Sequence, residues 1–246
     1  MNDNSWLLIL GANSDIGISI AYRYAKEGYN IYFAFRNIKH LNKIARDVEL
    51  RFSVATMVIY FDACEFEKHA SFYQSLKVKP HGVLVTFGIM HNQQKAQKKF
   101  SFSKEMIDVN FSGAVSILEI IASDFEKRSR GFIVGISSVA GDRGRMSNYI
   151  YGATKSAFTS YLQGLRHRLI KFNVNVLTVK PGFVETKMTK DINLPKKLTA
   201  KPDEVSNIIF KAVTNRKSTI YIKPIWRIIM LVIIHLPDLI FNRTKL

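Results

Sequence analysis

The sequence has one cysteine, Cys64, in 246 residues. A single thiol excludes an internal disulfide and suits a reducing compartment, so a cytoplasmic location is expected. The six histidines are scattered, and no His or Cys pair has metal-ligand spacing, so no metal is expected. Acidic residues are scarce: 19 Asp and Glu stand against 36 Lys and Arg, a formal charge of +17. Such an excess suits nucleic acid, an anionic membrane surface or an anionic small substrate, or reflects a generally basic proteome. No helix-turn-helix, zinc-finger or aromatic-rich RNA-binding signature is present, so nucleic acid is not expected as a partner. The amino terminus, MNDNSWLLILG, lacks a basic segment, and its apolar run is too short for a signal peptide. That run reads instead as a first strand.

What is present is 47% apolar content, enough for one α/β domain with a sizeable core. The chain is organised around residues 131–155. The apolar run from Phe132 to Ile136 reads as a buried strand that delivers Ser137 and Ser138 at its carboxyl end. A loop with Arg143 and Arg145 follows, then a helical pattern with Tyr151 and Lys155. Tyr and Lys at i and i+4 share a helix face. A cation beside the phenol favours the phenolate and is expected to lower its pKa toward neutral. Ser138 is placed to hold a substrate oxygen beside that phenol, which makes a carbonyl/alcohol redox site. The Tyr-x-x-x-Lys spacing also occurs at Tyr22/Lys26 and Tyr73/Lys77. Those two read as solvated helix faces with no strand-end serine ahead of them.

A strand at 6–10, the turn Gly11-Ala12-Asn13-Ser14-Asp15-Ile16-Gly17 and a helix follow one another at the start of the chain. This succession sets backbone N–H groups and a helix amino terminus against a pyrophosphate. Asp15 is awkward beside a diphosphate, so its carboxylate is expected to point away or to cap the helix. The second strand, 31–35, ends in Arg36 and Asn37 where an NAD enzyme places a carboxylate. A guanidinium suits a 2′-phosphate, so NADPH is expected over NADH; the alternative is a solvated loop arginine. Further strands are expected at 56–60, 82–87, 174–180 and 219–222. Helices are expected at 38–50, 66–77, 103–127, 148–172 and 203–214, with 91–104 as a polar surface loop.

These motifs together resemble the short-chain dehydrogenase/reductases, from Trp6 to about Pro181. The resemblance implies a single Rossmann-type α/β domain over 1–222, a doubly wound parallel sheet of about seven strands with helices on both faces. It implies Ser138 orienting the carbonyl, Tyr151 as general acid/base, Lys155 on the nicotinamide ribose, and Asn110 holding a relay water. It also implies Asp62 at the adenine unless that residue is only a helix cap, Gly88 close to the cofactor, and Pro181 and Thr186 at the carboxamide. A substrate lid around 187–201 and a homo-oligomer follow by the same analogy. The chain departs from the family pattern at Leu10, Asp15 and Phe87, where Thr, Gly and Asn are usual.

Residues 223–246 form an apolar tail flanked by Lys223, Arg227, Arg243 and Lys245 and interrupted by His235, Pro237 and Asp238. It is too broken to span a bilayer. Either it packs on the body or a second subunit, or it lies in the membrane interface with Trp226 and its basic flanks facing head groups. A narrower resemblance, in Thr86–Gln93, Ser137–Gly152 and His235-Leu-Pro, is to the decaprenylphosphoryl-2-keto-ribose reductases. It implies NADPH-dependent reduction of a polyprenyl-phosphate-linked 2-keto-pentofuranose, the second step of an epimerisation in cell-envelope glycan synthesis that a separate flavin-dependent oxidase begins. Arg143 and Arg145 would then meet the phosphate, unless they are solvated loop residues. The alternatives are a reductase of soluble carbonyls, such as a 3-oxoacyl thioester or nucleotide keto-sugar, and a non-catalytic dinucleotide sensor. The intact Asn110, Ser138, Tyr151 and Lys155 argue against the sensor.

Overall fold

The computed structural model describes residues 5–189 and 194–244. Lys245 and residues 190–193 of the expected lid lie outside them. In the first half, β1 (Trp6–Leu10), α1 (Asp15–Ala25), β2 (Asn30–Phe35), α2 (Ile38–Phe52), β3 (Thr56–Tyr60), α3 (His69–Ser75) and β4 (Gly82–Val85) alternate. Then come α4 (Gln93–Lys98), α5 (Phe100–Ile107), α6 (Gly113–Arg128), β5 (Gly131–Ile136), α7 (Tyr149–Leu169) and β6 (Val174–Pro181). The chain continues with β7 (Phe183–Val184), β8 (Thr199–Ala200), α8 (Pro202–Thr214), β9 (Thr219–Ile222), α9 (Ile225–His235) and α10 (Asp238–Phe241).

Seven strands pair in the order β3-β2-β1-β4-β5-β6-β9, each neighbouring pair parallel. A parallel sheet is covered on both faces, which is why its central strands are near-continuous apolar runs. Alternate residues of β1 serve the two sides: Leu7 and Ile9 pack with α1, α2 and α8, and Leu8 and Leu10 with α3, α6 and α7. Each fully buried Leu or Ile contributes about 1.5–3 kcal/mol, so the two cores fix the register. The strand order reverses between β1 and β4, and the crevice at the carboxyl ends of such a switch point is where ligands bind.

The 91–104 stretch is not a loop. Asn92 caps α4, its side chain accepting from Lys95 N at 3.1 Å, and Gln93, Ala96 and Ser103 are buried. Gln, Lys and Ala are good helix formers; the polarity that suggested a loop covers only the outer face. The next helix starts at Phe100 and is broken by a π-turn at Asp108–Ser112, an insertion that often marks a functional site. The run Phe100–Arg128 is apolar enough by length to cross a membrane, but Ile117, Leu118, Ile121 and Phe125 are fully buried against the sheet.

Two residues bear on the readings that the sequence left open for the tail and the loop beside it. Trp226 does not face outward: it is buried, donates from Nε1 to Leu198 O at 3.0 Å, and packs so closely on Gly182 that a Cβ there would lie 2.0 Å from the indole. Arg143 turns away from the cleft. Its Nη1 donates to Ile233 O at 2.6 Å and Leu236 O at 2.5 Å, its Nη2 reaches Asp238 Oδ1 at 2.6 Å, and its guanidinium lies 3.9 Å over the Phe241 ring. The last carbonyls of a helix have no partner within it, and one arginine supplies donors to those of α9. Asp238 is largely exposed, so its ion pair adds little; the carbonyl bonds and the ring contact dominate. Arg143→Ala is expected to lower the thermal midpoint by roughly 2–6 °C, read by a circular dichroism melt. An unchanged midpoint would mean that the tail packs without this clamp.

Candidate active site

The carboxyl ends of β1, β4, β5 and β6 open into one cleft of about 480 Å³, which Gly11, Asn13, Ser14, Asp15 and Ile16 line from the first turn and Arg36 and Asp62 from the strands beside it. Gly88, Ser138, Arg145, Tyr151, Lys155, Pro181 and Thr186 line the remainder. Gly17 and Asn110 support the wall from behind, and Arg143 lies elsewhere.

Gly11 adopts φ +88°, and a Cβ on it would sit 2.4 Å from Phe87 N; only glycine lets β1 turn this close to β4. A Cβ on Gly17 would lie 2.8 Å from Ser14 Oγ and 3.0 Å from Thr86 Oγ1, so α1 can approach the sheet only there. Ser14 is the helix cap, accepting from Gly17 N at 3.0 Å. Asp15 is turned aside, its Oδ2 accepting from Lys187 N at 2.7 Å. Its charge thereby fastens the first residues after β7 to the glycine turn. Asn13 Oδ1 is buried with no hydrogen-bond partner among the described residues. Arg36 is more than half exposed at the end of β2 and stands 3.8 Å from Asp62, a separation at which an exposed pair is weak. Asp62 spends its other oxygen on Cys64 N, at 2.9 Å. A glycine cradle, a helix amino terminus, an unsatisfied side-chain acceptor and an underused guanidinium at a switch point fit a dinucleotide.

At the other end of the cleft, Ser138 closes β5 and its Oγ accepts from Ala140 N at 3.1 Å. Burial pushes the Tyr151 phenol up to about 12, opposed only by its hydrogen bond with Ser138. This corrects the expectation of a phenol acidified by Lys155. The ammonium lies 5.8 Å from the ring centroid and donates instead to Ile136 O at 3.0 Å. The phenol is neutral at neutral pH, and burial holds it further in that proton-bearing form. Lys155 is itself brought down to about 8 by burial.

Asn110 rides on the π-turn and is buried. Its Oδ1 accepts from Ile89 N at 2.8 Å, and its Nδ2 donates to Ile89 O at 2.9 Å and Thr154 Oγ1 at 3.1 Å. It therefore pins the strand end after β4 to α7, with both amide hydrogens used. A Cβ on Gly88 would meet Lys155 Nζ at 3.2 Å and Asn110 Oδ1 at 3.3 Å, so this glycine is required for the two to converge. Thr186 holds the turn after β7, its N donating to Thr189 Oγ1 at 3.1 Å.

Trp226, Asn148 and Thr189 also line the cleft and were not foreseen. Trp226 sits in a run whose apolarity suited either the body of the protein or a membrane interface. Asn148 lies three residues before Tyr151, where only the start of a helix was legible.

Residues 5–197 match the family model described as short chain dehydrogenase. An uncharacterised oxidoreductase of Mycobacterium tuberculosis is 30% identical over 241 residues, covering 96% of each chain. Among solved structures, a short-chain dehydrogenase from Sphingobium yanoikuyae in complex with NADPH shares the fold, with TM-score 0.82 at 21% identity over 89% of this chain and 88% of that one. A short chain dehydrogenase from Burkholderia cenocepacia in complex with NADP gives 0.82 at 17% over 99% and 98%. The fold and the cleft define an NAD(P)-dependent oxidoreductase. The chain belongs to the short-chain dehydrogenase family.

The depressed Lys155 pKa carries a stability consequence. The unfolded chain holds this proton up to about 10.5, the folded one only to about 8, so stability rises with pH between those values. Lys155→Met is expected to raise the thermal midpoint of the free protein at pH 7 by roughly 2–4 °C while abolishing turnover. A lower midpoint in the variant would show that the ammonium is fully compensated by its surroundings.

Proposed function

We propose that the protein is an NADPH-dependent reductase of a keto group on a sugar carried by a polyprenyl phosphate, the product being the epimeric alcohol. In this reading Gly11, Asn13 and the amino terminus of α1 hold the pyrophosphate, Arg36 the 2′-phosphate, Asp62 the adenine end, and Lys155, Pro181 and Thr186 the nicotinamide end. The bound dinucleotide supplies the hydride that reduces the carbonyl carbon. Ser138 Oγ donates to the carbonyl oxygen and orients it. Tyr151 gives its phenolic proton to that oxygen as negative charge develops there. The Lys155 ammonium stabilises the phenolate left behind, and Asn110 keeps the 88–90 segment and α7 in register.

The observation that carries the substrate class is Arg145. Its Nε is buried without a hydrogen-bond partner among the described residues, and burial lowers its pKa against the pull of Asp142. That carboxylate already accepts from Lys180 Nζ at 2.5 Å and Tyr221 Oη at 2.8 Å. A desolvated guanidinium in a cleft wall is costly unless an anion meets it. The phosphate of a lipid-linked sugar supplies one within reach of the reducing end. The narrower resemblance to decaprenylphosphoryl-2-keto-ribose reductases supports the same class, and a separate flavin-dependent oxidase would make the keto substrate.

The test is NADPH oxidation, followed by absorbance, with a polyprenylphosphoryl 2-keto-pentose in detergent micelles beside the same keto-pentose without its lipid phosphate. Turnover of the lipid-linked form alone, abolished by Tyr151→Phe with NADPH binding retained, is the expected result. Equal turnover of both would leave a general sugar reductase, and turnover in Tyr151→Phe would overturn the acid/base assignment. Separately, Arg36→Ala is expected to weaken NADPH binding about 10- to 100-fold and leave NADH binding unchanged, measured by quenching of protein fluorescence. Equal effects on both dinucleotides would remove Arg36 from the 2′-phosphate.

A further inference from the structure

We propose that the α9–α10 hairpin docks in the plane of an anionic lipid bilayer, with the cleft wall it forms held at that surface. α9 is apolar on two faces. Trp226, Met230 and Ile233 pack inward with Val139, Phe183 and Leu198. On the opposite side Ile228, Leu231 and Val232 are each 59–61% exposed, and on α10 Leu239 and Ile240 are 73% and 53% exposed. Single exposed apolar residues are ordinary; five on two adjoining short helices form a patch of the kind that marks an interaction site.

Length and charge select the occupant. An 11-residue helix is about 16 Å long, roughly half the hydrocarbon thickness, so it can lie in the interface but not span it. From residue 223 to 244 the only acidic residue is Asp238, against Lys223, Arg227 and Arg243. Asp238 is itself engaged by Arg143. Basic residues around an apolar face suit anionic head groups. A second copy of this chain would instead bring another +17 against the same charge.

The surface is continuous with the active site. Trp226 on the inner face of α9 lines the cleft and holds Leu198 before β8. Arg143, in the loop between Ser138 and Tyr151, caps the far end of the same helix. A bilayer under α9 would therefore lie beside the cleft that receives the carbonyl. This proposal rests on the surface alone and not on the substrate reading, because binding is scored without carbonyl or dinucleotide.

The experiment is co-sedimentation of the full chain with vesicles of phosphatidylcholine alone and of an equal mixture with phosphatidylglycerol. The expected result is binding to the mixed vesicles, weakened by salt, and reduced at least about tenfold in the triple variant Ile228→Gln, Leu231→Gln, Val232→Gln. A thermal melt checks that the variant folds, and Leu239→Gln with Ile240→Gln on α10 repeats the test should it not. Absence of binding to either vesicle, or binding that neither set of substitutions changes, overturns the proposal. So does a dimer in gel filtration that the substitutions convert to monomer without altering vesicle binding, since the face would then join copies of this chain.

Discussion

The ammonium of Lys155 is buried beneath the cleft with a single backbone carbonyl, that of Ile136, as its hydrogen-bond partner among the described residues. Taking a lysine out of water disfavours its charge, and burial brings its pKa down accordingly. The surroundings are arranged around that cost. Gly88 leaves room above the ammonium, and Asn110 is pinned by three hydrogen bonds beside it. The lysine carbonyl accepts from Ser137 Oγ at 3.0 Å, so the helix carrying it is fastened to the end of β5. Two apolar cores, one on each face of the sheet, supply the stability against which such a group can be held.

The Tyr151 phenol sits in the same water-poor floor, and there the same desolvation has the opposite sign. Burial disfavours the anion of a phenol and the cation of an amine, so the two pKa values move apart, the phenol from 10.0 up to about 12 and the amine from 10.5 down to about 8. Neither group is at its ordinary value, and each favours its neutral form more than it would in solution. In the proposed reduction, proton transfer from phenol to a developing alkoxide would leave a phenolate beside the Lys155 ammonium, an anion that offsets the cost of the buried cation. Pushing two titrations apart in one dry site separates their roles, a neutral proton donor beside a cation. Ser138 contributes the only opposing hydrogen bond on the phenol.

Most of the sheet was legible because its strands are short apolar runs between glycine turns. The pairing of Ser138 with Tyr151 and Lys155 was legible from position, since the other two Tyr-x-x-x-Lys pairs lack a strand end ahead of them. What escaped has a common cause: the deciding partner lies far along the chain. Nothing in 91–104 states that Gln93 and Ser103 face inward; that follows from α7 and the body beneath. Gln93, for example, accepts from Ile150 N at 3.2 Å through its side chain. The π-turn at Asn110 was invisible because one inserted residue scarcely changes helical periodicity over 25 residues. The side taken by Trp226, body or head groups, stayed open because hydropathy reports that a residue avoids water, not which apolar phase receives it.

Arg143 and Arg145 show the limit of residue type most clearly. They stand two positions apart in one loop, carry the same group, and were read from sequence as equivalent. Arg143 faces the end of α9, where three successive needs, for carbonyl donors, a countercharge and a ring contact, are all met by one guanidinium. Arg145 faces the cleft, where its Nε has no hydrogen-bond partner among the described residues and the nearby Asp142 is committed to Lys180 and Tyr221. The first arginine is structural because its hydrogen bonds are spent within the chain. The second is available because its bonds are not, and a desolvated, unspent donor in a cleft wall is the physical mark of a group waiting for a ligand.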